Sequence, residues 1–286
     1  MAILPVGLSA LKFRPRLSHA SRMNDDPRTQ YWNEQYLRYW RERVEAANCP
    51  PGGAQPNGAD APPPADRVYE DFIGHLDIPV GATVLEMGCG YGRAVPILYP
   101  ITPNIAGIDI SEAMIGEART GCAGYPGVTF AVSEAEHTPF PDAHFDRVIC
   151  FGVFDALYQR EALLEMNRIL TTGGRVLITG KNDAYFPDDE AALVAERNAR
   201  AKGHPNYFTD VTALLANLNC FGFRCCWHRF YARRSDMAAG RWMIEKPDRF
   251  YEYCLILEKL APAASLTSPP VISAAMSKTF SSMPVS

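Results

Sequence analysis

The run Val84-Leu85-Glu86-Met87-Gly88-Cys89-Gly90-Tyr91-Gly92-Arg93 ends a short apolar segment and opens a helical one. Glycines at such a junction let the backbone turn sharply and approach a ligand, and the following helix start offers unpaired N–H groups. Gly88, Gly90 and Gly92 recur at every second residue, whereas the dinucleotide fingerprint G-x-G-x-x-G would put its third glycine where Arg93 stands. An acid, Glu86, lies just before the first glycine. Asp109 ends the next apolar run, about twenty residues on, where a carboxylate can accept bonds from both hydroxyls of a ribose. Loop and acid together read as a nucleoside site, with or without phosphates.

These residues need elements to hold them. Thr83 to Met87, Ile105 to Asp109, Val128 to Val132, Asp146 to Phe151 and Arg175 to Thr179 read as buried strands, being apolar, branched or aromatic and bounded by Gly, Pro or Asp. Arg67 to His75, Glu112 to Arg119 and Glu161 to Leu170 read as helices, with Ser111 a natural N-cap. Alternating strands and helices imply a parallel sheet covered on both faces, a doubly wound α/β fold. Phe223 to Tyr231 and Phe250 to Glu258 follow each other without a long helix between them, so the sheet should finish in an antiparallel pair at one edge.

Four segments in register, LEMGCGYGR at 85–93, GIDIS at 107–111, SEAEHTPFPDAHFDRVIC at 133–150 and LLEMNRILTTGGRVLI at 163–178, resemble the class I S-adenosylmethionine-dependent methyltransferases, in particular the small-molecule group called type 11. The resemblance implies a seven-stranded, mostly parallel sheet with one antiparallel edge strand, and S-adenosyl-L-methionine as cofactor. By position, Gly88, Gly90 and Gly92 would bend beneath the methionine part and Glu86 would orient its ammonium through water. Asp109 would hold the ribose, and Ile110 would press on adenine. Glu134 would accept from the exocyclic amine, the Ala135 amide would reach a ring nitrogen, and Phe151 with Gly152 would line the methionine moiety and face the acceptor. Two positions depart from the family: Asp is common where Glu134 stands, and a His often follows the fourth strand where Ala156 lies. The Asn/Asp-Pro-Pro-aromatic signature of amino methyltransferases is also absent, the text being Cys150-Phe151-Gly152-Val153-Phe154, which argues against DNA adenine and glutamine as acceptors.

In-line methyl transfer discharges a sulfonium, so alignment and exclusion of water supply much of the rate, and a hydroxyl acceptor additionally needs a base. Position after strand ends makes Asp155, Tyr158, Lys181, Asn182 and Tyr185 the candidates to face the acceptor, with His204 and Tyr207 on a later insertion. No base is assigned among these or among His137 and His144. The expected acceptor is a small molecule reacting at O or N. Rival readings are methylation of a protein or RNA, favoured only by Arg229, Arg233, Arg234 and Arg241, and a silent cofactor-binding scaffold. A nicotinamide dehydrogenase is disfavoured by Arg93.

The chain has 286 residues, 47% hydrophobic and 21% charged, enough for one large core. A net charge of −4 argues against a surface that wraps a polyanion, and no apolar run is long enough for a membrane span. Residues 1–24 carry Lys12, Arg14, Arg16 and Arg22 without an acid, a transit-peptide composition, although Met23 offers an alternative start. Residues 25–47 form an aromatic helix, with Trp32, Tyr36, Tyr39, Trp40 and Val44 at helical spacing, suited to docking or to a lid. Residues 48–66 are a Pro- and Gly-rich linker, 67–260 the main domain, 185–208 contains a solvated helix, and 261–286 reads as a disordered tail. The eight cysteines are scattered and read as reduced thiols of a cytoplasmic protein. Cys220, Cys225, Cys226 and His228 make a poor zinc set because strand neighbours point to opposite faces, so no metal is expected.

Overall fold

The computed structural model describes residues 27–46, 64–260 and Ile272. The expectations for residues 1–24, for 48–63 of the linker and for nearly all of 261–286 lie outside the described residues. The first element, α1, is a continuous helix made of Pro27–Gln30, a π-helical stretch Tyr31–Tyr36 and Leu37–Ala46. Then follow α2 (Pro64–His75), β1 (Val84–Met87), α3 (Val95–Leu98), β2 (Ile105–Asp109), α4 (Glu112–Gly121), β3 (Thr129–Val132) and β4 (Phe145–Cys150). A 3₁₀ turn, Phe154–Ala156, precedes α5 (Gln159–Ile169) and β5 (Leu170–Lys181). The chain continues through α6 (Glu190–Ala201), α7 (Val211–Ala216), β6 (Phe223–Tyr231) and β7 (Glu252–Lys259).

The strand order is β3-β2-β1-β4-β5-β7-β6. Strands β1 to β5 pair in parallel, and β7 runs antiparallel to both β5 and β6. The antiparallel pairing expected at the end of the sheet is therefore present, with β6 as the outermost strand. Successive residues of the central strands serve opposite faces, as the pleat requires. Leu85, Met87, Ile108, Val148 and Ile178 join α5 and α7 in one core, while Val84, Ile105, Ile149 and Leu177 pack with α2 and α3 in the other.

Three elements differ from their expected form. Strand β5 begins at Leu170 rather than at Arg175 because Thr171 to Gly174 bulge out, with Gly173 at φ +77°, and the chain rejoins β4 in shifted register. The Gly pair reads in sequence as a stop, but here it is an irregularity inside one strand. Helix α6 is not solvated all round: Asp189 caps it by accepting from the Ala192 amide at 3.1 Å, and Ala192 and Glu196 are buried. Helix α2 also starts at Pro64, inside the segment expected as linker.

Arg147 joins α2 to the sheet. Its buried guanidinium donates through Nε to the carbonyls of Leu76 and Asp77, each at 3.0 Å, just where Asp77 turns left-handed at φ +52°. Arg147→Leu would strand those carbonyls. It is expected to lower unfolding free energy in urea by about 1–3 kcal/mol, the cost of unsatisfied buried acceptors; an unchanged midpoint would contradict this role.

Candidate active site

The strand order reverses between β2 and β4 around β1, and the carboxyl ends there open on one cavity of about 330 Å³. Its floor is the glycine loop. Gly88 has φ +69°, and a Cβ there would come within 2.6 Å of the Val153 side chain; Gly92 has φ +82°, and a Cβ would meet Cys122 Sγ at 2.7 Å. Both the conformation and the close approach require glycine. Asp109 ties this loop to β2, its Oδ2 accepting from the Gly90 amide and its Oδ1 from the Ser111 amide, both at 2.9 Å.

Glu86, next to last in β1, is only 4% exposed, and its Oε2 has no hydrogen-bond partner among the described residues. Burial pushes its pKa up to about 8, against the opposing pull of Arg93. The Arg93 guanidinium lies 4.3 Å from the Tyr69 ring centre, and Tyr69 in turn packs on Phe151. Asp109 is likewise raised by burial, offset by its backbone donors.

Glu86, Gly88, Gly90, Asp109, Ile110, Glu134, Ala135, Phe151 and Gly152 all line this cavity. Gly92 does not; it sits behind the loop against Cys122 and Phe130, so its part is to shape the turn. Glu134 lies near His137, with Oε2 and Nδ1 3.8 Å apart.

Helix α1 covers the cavity. Arg28 enters a buried ion pair with Glu136 at 2.6 Å, and Asn33 Oδ1 accepts from the Ser111 hydroxyl at 2.8 Å. Trp40 stacks on Tyr91 with ring centres 5.1 Å apart. The π-helical stretch brings Trp32 and Tyr36 into contact, at 4.9 Å, and both line the cavity. Sequence reading found the aromatic helix but missed Arg28, Tyr69 and Glu136. The second acid in Glu134-Ala135-Glu136 was the available signal for the last.

The candidates for the acceptor face are largely placed elsewhere. Lys181 Nζ lies 3.1 Å from Asp155 Oδ2 and 3.1 Å from Glu196 Oε1, in a buried cluster that Tyr251 completes by donating to Glu196. Burial opposes the Lys181 charge, but the two carboxylates outweigh it and raise the pKa. Asn182 binds the Ala184 carbonyl at 3.1 Å, Tyr185 packs on Tyr251 and Phe208, and Tyr158 lies against the Arg28 guanidinium. Position after a strand end was a poor guide because tertiary partners claim these side chains: α6 takes Lys181 and Tyr185, the segments around Ala184 and Phe250 take Asn182, and α1 takes Tyr158. His204 lines the cavity, whereas Tyr207, His137 and His144 do not.

The arginines singled out are engaged within the fold, three of them by carboxylates. Arg229 pairs with Asp71, Arg233 with Asp188 and Arg241 with Asp236, and Arg234 donates to the Tyr251 hydroxyl at 3.1 Å. Among the described residues no group of His, Cys, Asp and Glu could hold a metal ion, and no helix is long and apolar enough to cross a membrane. Cys225 Sγ and His228 Nδ1 are 3.8 Å apart, but Cys226 is exposed on the other face of β6.

Residues 85–178 match the family model described as a methyltransferase domain. A ubiquinone/menaquinone biosynthesis C-methyltransferase of Geobacter sulfurreducens is 37% identical over 105 residues, which cover 34% of this chain and 41% of that protein. The chain thus aligns with less than half the length of this relative. Among solved structures, the [4+2]-cyclase SpnF overlays with a TM-score of 0.61 at 18% identity, covering 83% of this chain and 97% of that one. The magnesium protoporphyrin IX methyltransferase of Synechocystis with bound S-adenosylhomocysteine overlays at 0.52 and 16% identity, covering 81% and 97%. The seven-stranded sheet with the glycine loop between β1 and α3 gives this chain a Rossmann-like methyltransferase fold, and the stretch from β1 into β5, residues 85–178, matches a methyltransferase domain.

Proposed function

We propose that the protein binds S-adenosyl-L-methionine in the capped cavity and transfers its methyl group to the O or N atom of a small molecule. The observation that carries this reading is the Glu86 carboxylate, buried beside the glycine loop with an unpartnered oxygen. A buried acceptor of that kind is costly unless a donor arrives, and the ammonium of a methionine moiety is a fitting donor. Asp109 Oδ1 and Oδ2 each accept one amide and keep lone pairs for ribose hydroxyls. Ile110 then lies against adenine, with Glu134 and the Ala135 amide on its edge. Gly88 and Gly90 pass beneath the methionine part, and Phe151 with Tyr69 walls it.

The bound cofactor supplies an electrophilic methyl on a sulfonium, whose charge disappears on transfer. The chain's own contribution is alignment and exclusion of water. The ion pair Arg28–Glu136, the Asn33–Ser111 bond and the Trp40–Tyr91 stack hold α1 over the cavity, and a lid role would require these contacts to open. A cavity closed in this way supports a small acceptor. The pairing of Arg229, Arg233 and Arg241 with acids of the fold, and of Arg234 with the Tyr251 hydroxyl, weighs against RNA or an acidic protein surface. The curated relative is named for carbon methylation of quinone precursors, and SpnF for a cyclisation, so the fold leaves the acceptor open. A silent cofactor-binding scaffold is the second reading, distinguished by binding without turnover.

Calorimetric titration with S-adenosylhomocysteine is expected to show micromolar binding, weakened by roughly 1.5–3 kcal/mol in Asp109→Ala. No binding to the folded wild type would refute the proposal. The pH dependence has a defined sign. Glu86 binds its proton more tightly when folded, so its contribution to apo stability is complete below about 4.5 and is lost as pH rises through about 8. Ligand binding through the ammonium needs the carboxylate, so affinity should strengthen from pH 6 to pH 8 with release of a proton near pH 7. Glu86→Gln should bind more weakly and lose this dependence; a flat wild-type profile would contradict the assignment.

A further inference from the structure

His204 reaches the cavity from an element far in sequence from the glycine loop. Helix α6 stops at Gly203, which is left-handed at φ +71°, and the His204 amide donates to the Ala199 carbonyl at 3.0 Å. The segment that follows is pinned at three points. Asn206 donates to the Glu196 carboxylate, the Tyr207 amide donates to the Asp155 carbonyl in the 3₁₀ turn after β4, and the Thr209 amide donates to the Lys181 carbonyl at 2.8 Å. These ties press the loop onto the turn that carries Asp155, Ala156 and Leu157. The His204 ring therefore stands on the β4 side of the cavity, with Ala156 and Leu157, across β1 from Asp109.

Of the acidic, cationic and imidazole groups that line the cavity, Asp109 and Glu134 are assigned to the nucleoside end and Glu86 to the ammonium, Arg93 lies over the Tyr69 ring, and Arg28 and Glu136 are bound to each other. His204 differs. Its Nδ1 is buried and has no hydrogen-bond partner among the described residues, and its ring meets Tyr31 and Trp32 of α1 edge-on, with centres 5.1 Å and 5.0 Å away. The charged groups that act on it are Asp155 in the turn, Lys181 on β5 and Glu196 on α6. Asp155, Glu196 and the Pro205 carbonyl favour the protonated ring and Lys181 opposes it, but burial is the largest influence. Burial lowers the ring's pKa, which leaves a neutral imidazole with a lone pair.

We propose that His204 is the general base of the reaction and that the acceptor is therefore a hydroxyl on a flat apolar ring, seated in the cavity against the wall formed by His204, Trp32 and Leu157. This rests on the methyl-transfer reading above. As the oxygen–methyl bond forms and the sulfur–methyl bond breaks, with its electron pair left on sulfur, the hydroxyl proton passes to His204 and from there to solvent. An amine or thiolate acceptor would have no use for such a group.

The test uses the full chain and two probes of one shape, 2-naphthol and 2-naphthalenethiol; the thiol ionises unaided near pH 8. Wild-type protein saturated with S-adenosyl-L-methionine is expected to methylate both at pH 8, with an acidic limb in the pH–rate profile for the naphthol. His204→Gln should bind S-adenosylhomocysteine within about twofold of wild type and transfer to the thiol within about threefold, but lose roughly 100-fold in transfer to 2-naphthol. In ¹³C-histidine-labelled protein, the ring resonance that this substitution removes should shift when 2-naphthol is added with S-adenosylhomocysteine. No transfer to 2-naphthol by protein that binds S-adenosylhomocysteine overturns the proposal. So does equal transfer by the variant, a naphthol profile with no acidic limb, or a resonance that does not move. Loss of S-adenosylhomocysteine binding in the wild type would instead overturn the methyl-transfer reading itself.

Discussion

A carboxylate with an unpartnered oxygen, buried at the end of a central strand, is the constraint around which this molecule is arranged. Glu86 occupies a position where the other β1 residues are apolar and fully buried, and nothing in the sheet answers its Oε2. Such a group persists only where the surrounding structure holds it and a ligand offsets its cost. The glycine loop follows directly, and its left-handed turns let the backbone pass beside the carboxylate without side chains filling the space. Asp109 then fixes that loop to β2 with both of its oxygens, so the two acids and the turn form one rigid unit.

The remaining walls come from elements that the sheet does not supply. Helix α1 is held across the opening by the buried Arg28–Glu136 ion pair, the Asn33–Ser111 hydrogen bond and the Trp40–Tyr91 stack, joined by the Arg41–Glu117 pair and the contacts of Tyr31 and Trp32 with His204. The α6 insertion is held by charge: Lys181 between Asp155 and Glu196, with Tyr251 and Asn206 completing the shell of Glu196. Breaking one partner of such a buried set leaves an uncompensated charge, which is why it fixes position even where its net contribution to stability is small. The 3₁₀ turn after β4 is the common support, since Asp155 anchors Lys181 through its side chain and Tyr207 through its carbonyl.

Local features of this architecture were legible in the sequence. The bounds of β2 and β6 are those that apolar runs bracketed by Gly, Pro and Asp suggest, and Ser111 caps α4 by accepting from the Met114 amide. The residues of the glycine loop and Asp109 were visible because their spacing is short and the backbone itself demands them. Pairings between distant residues were not legible. Arg28 meets Glu136, and Arg93 meets Tyr69, only after the sheet has formed, and no periodicity marks them. The acceptor candidates failed for the same reason: a helix with mixed charges reads as solvated, yet Glu196 turns inward because Lys181 waits for it. His204 lines the cavity through a loop whose anchors lie on β5, α6 and the turn after β4, which no local pattern could reveal.

A solved structure of the complex with S-adenosylhomocysteine would test the central claim most directly. The expected result is an ammonium in contact with Glu86 or one water removed from it, ribose hydroxyls on Asp109, and the sulfur facing the wall that carries Ala156 and His204. A ligand bound elsewhere, or one seated in the cavity with Glu86 still without a donor, would contradict the account.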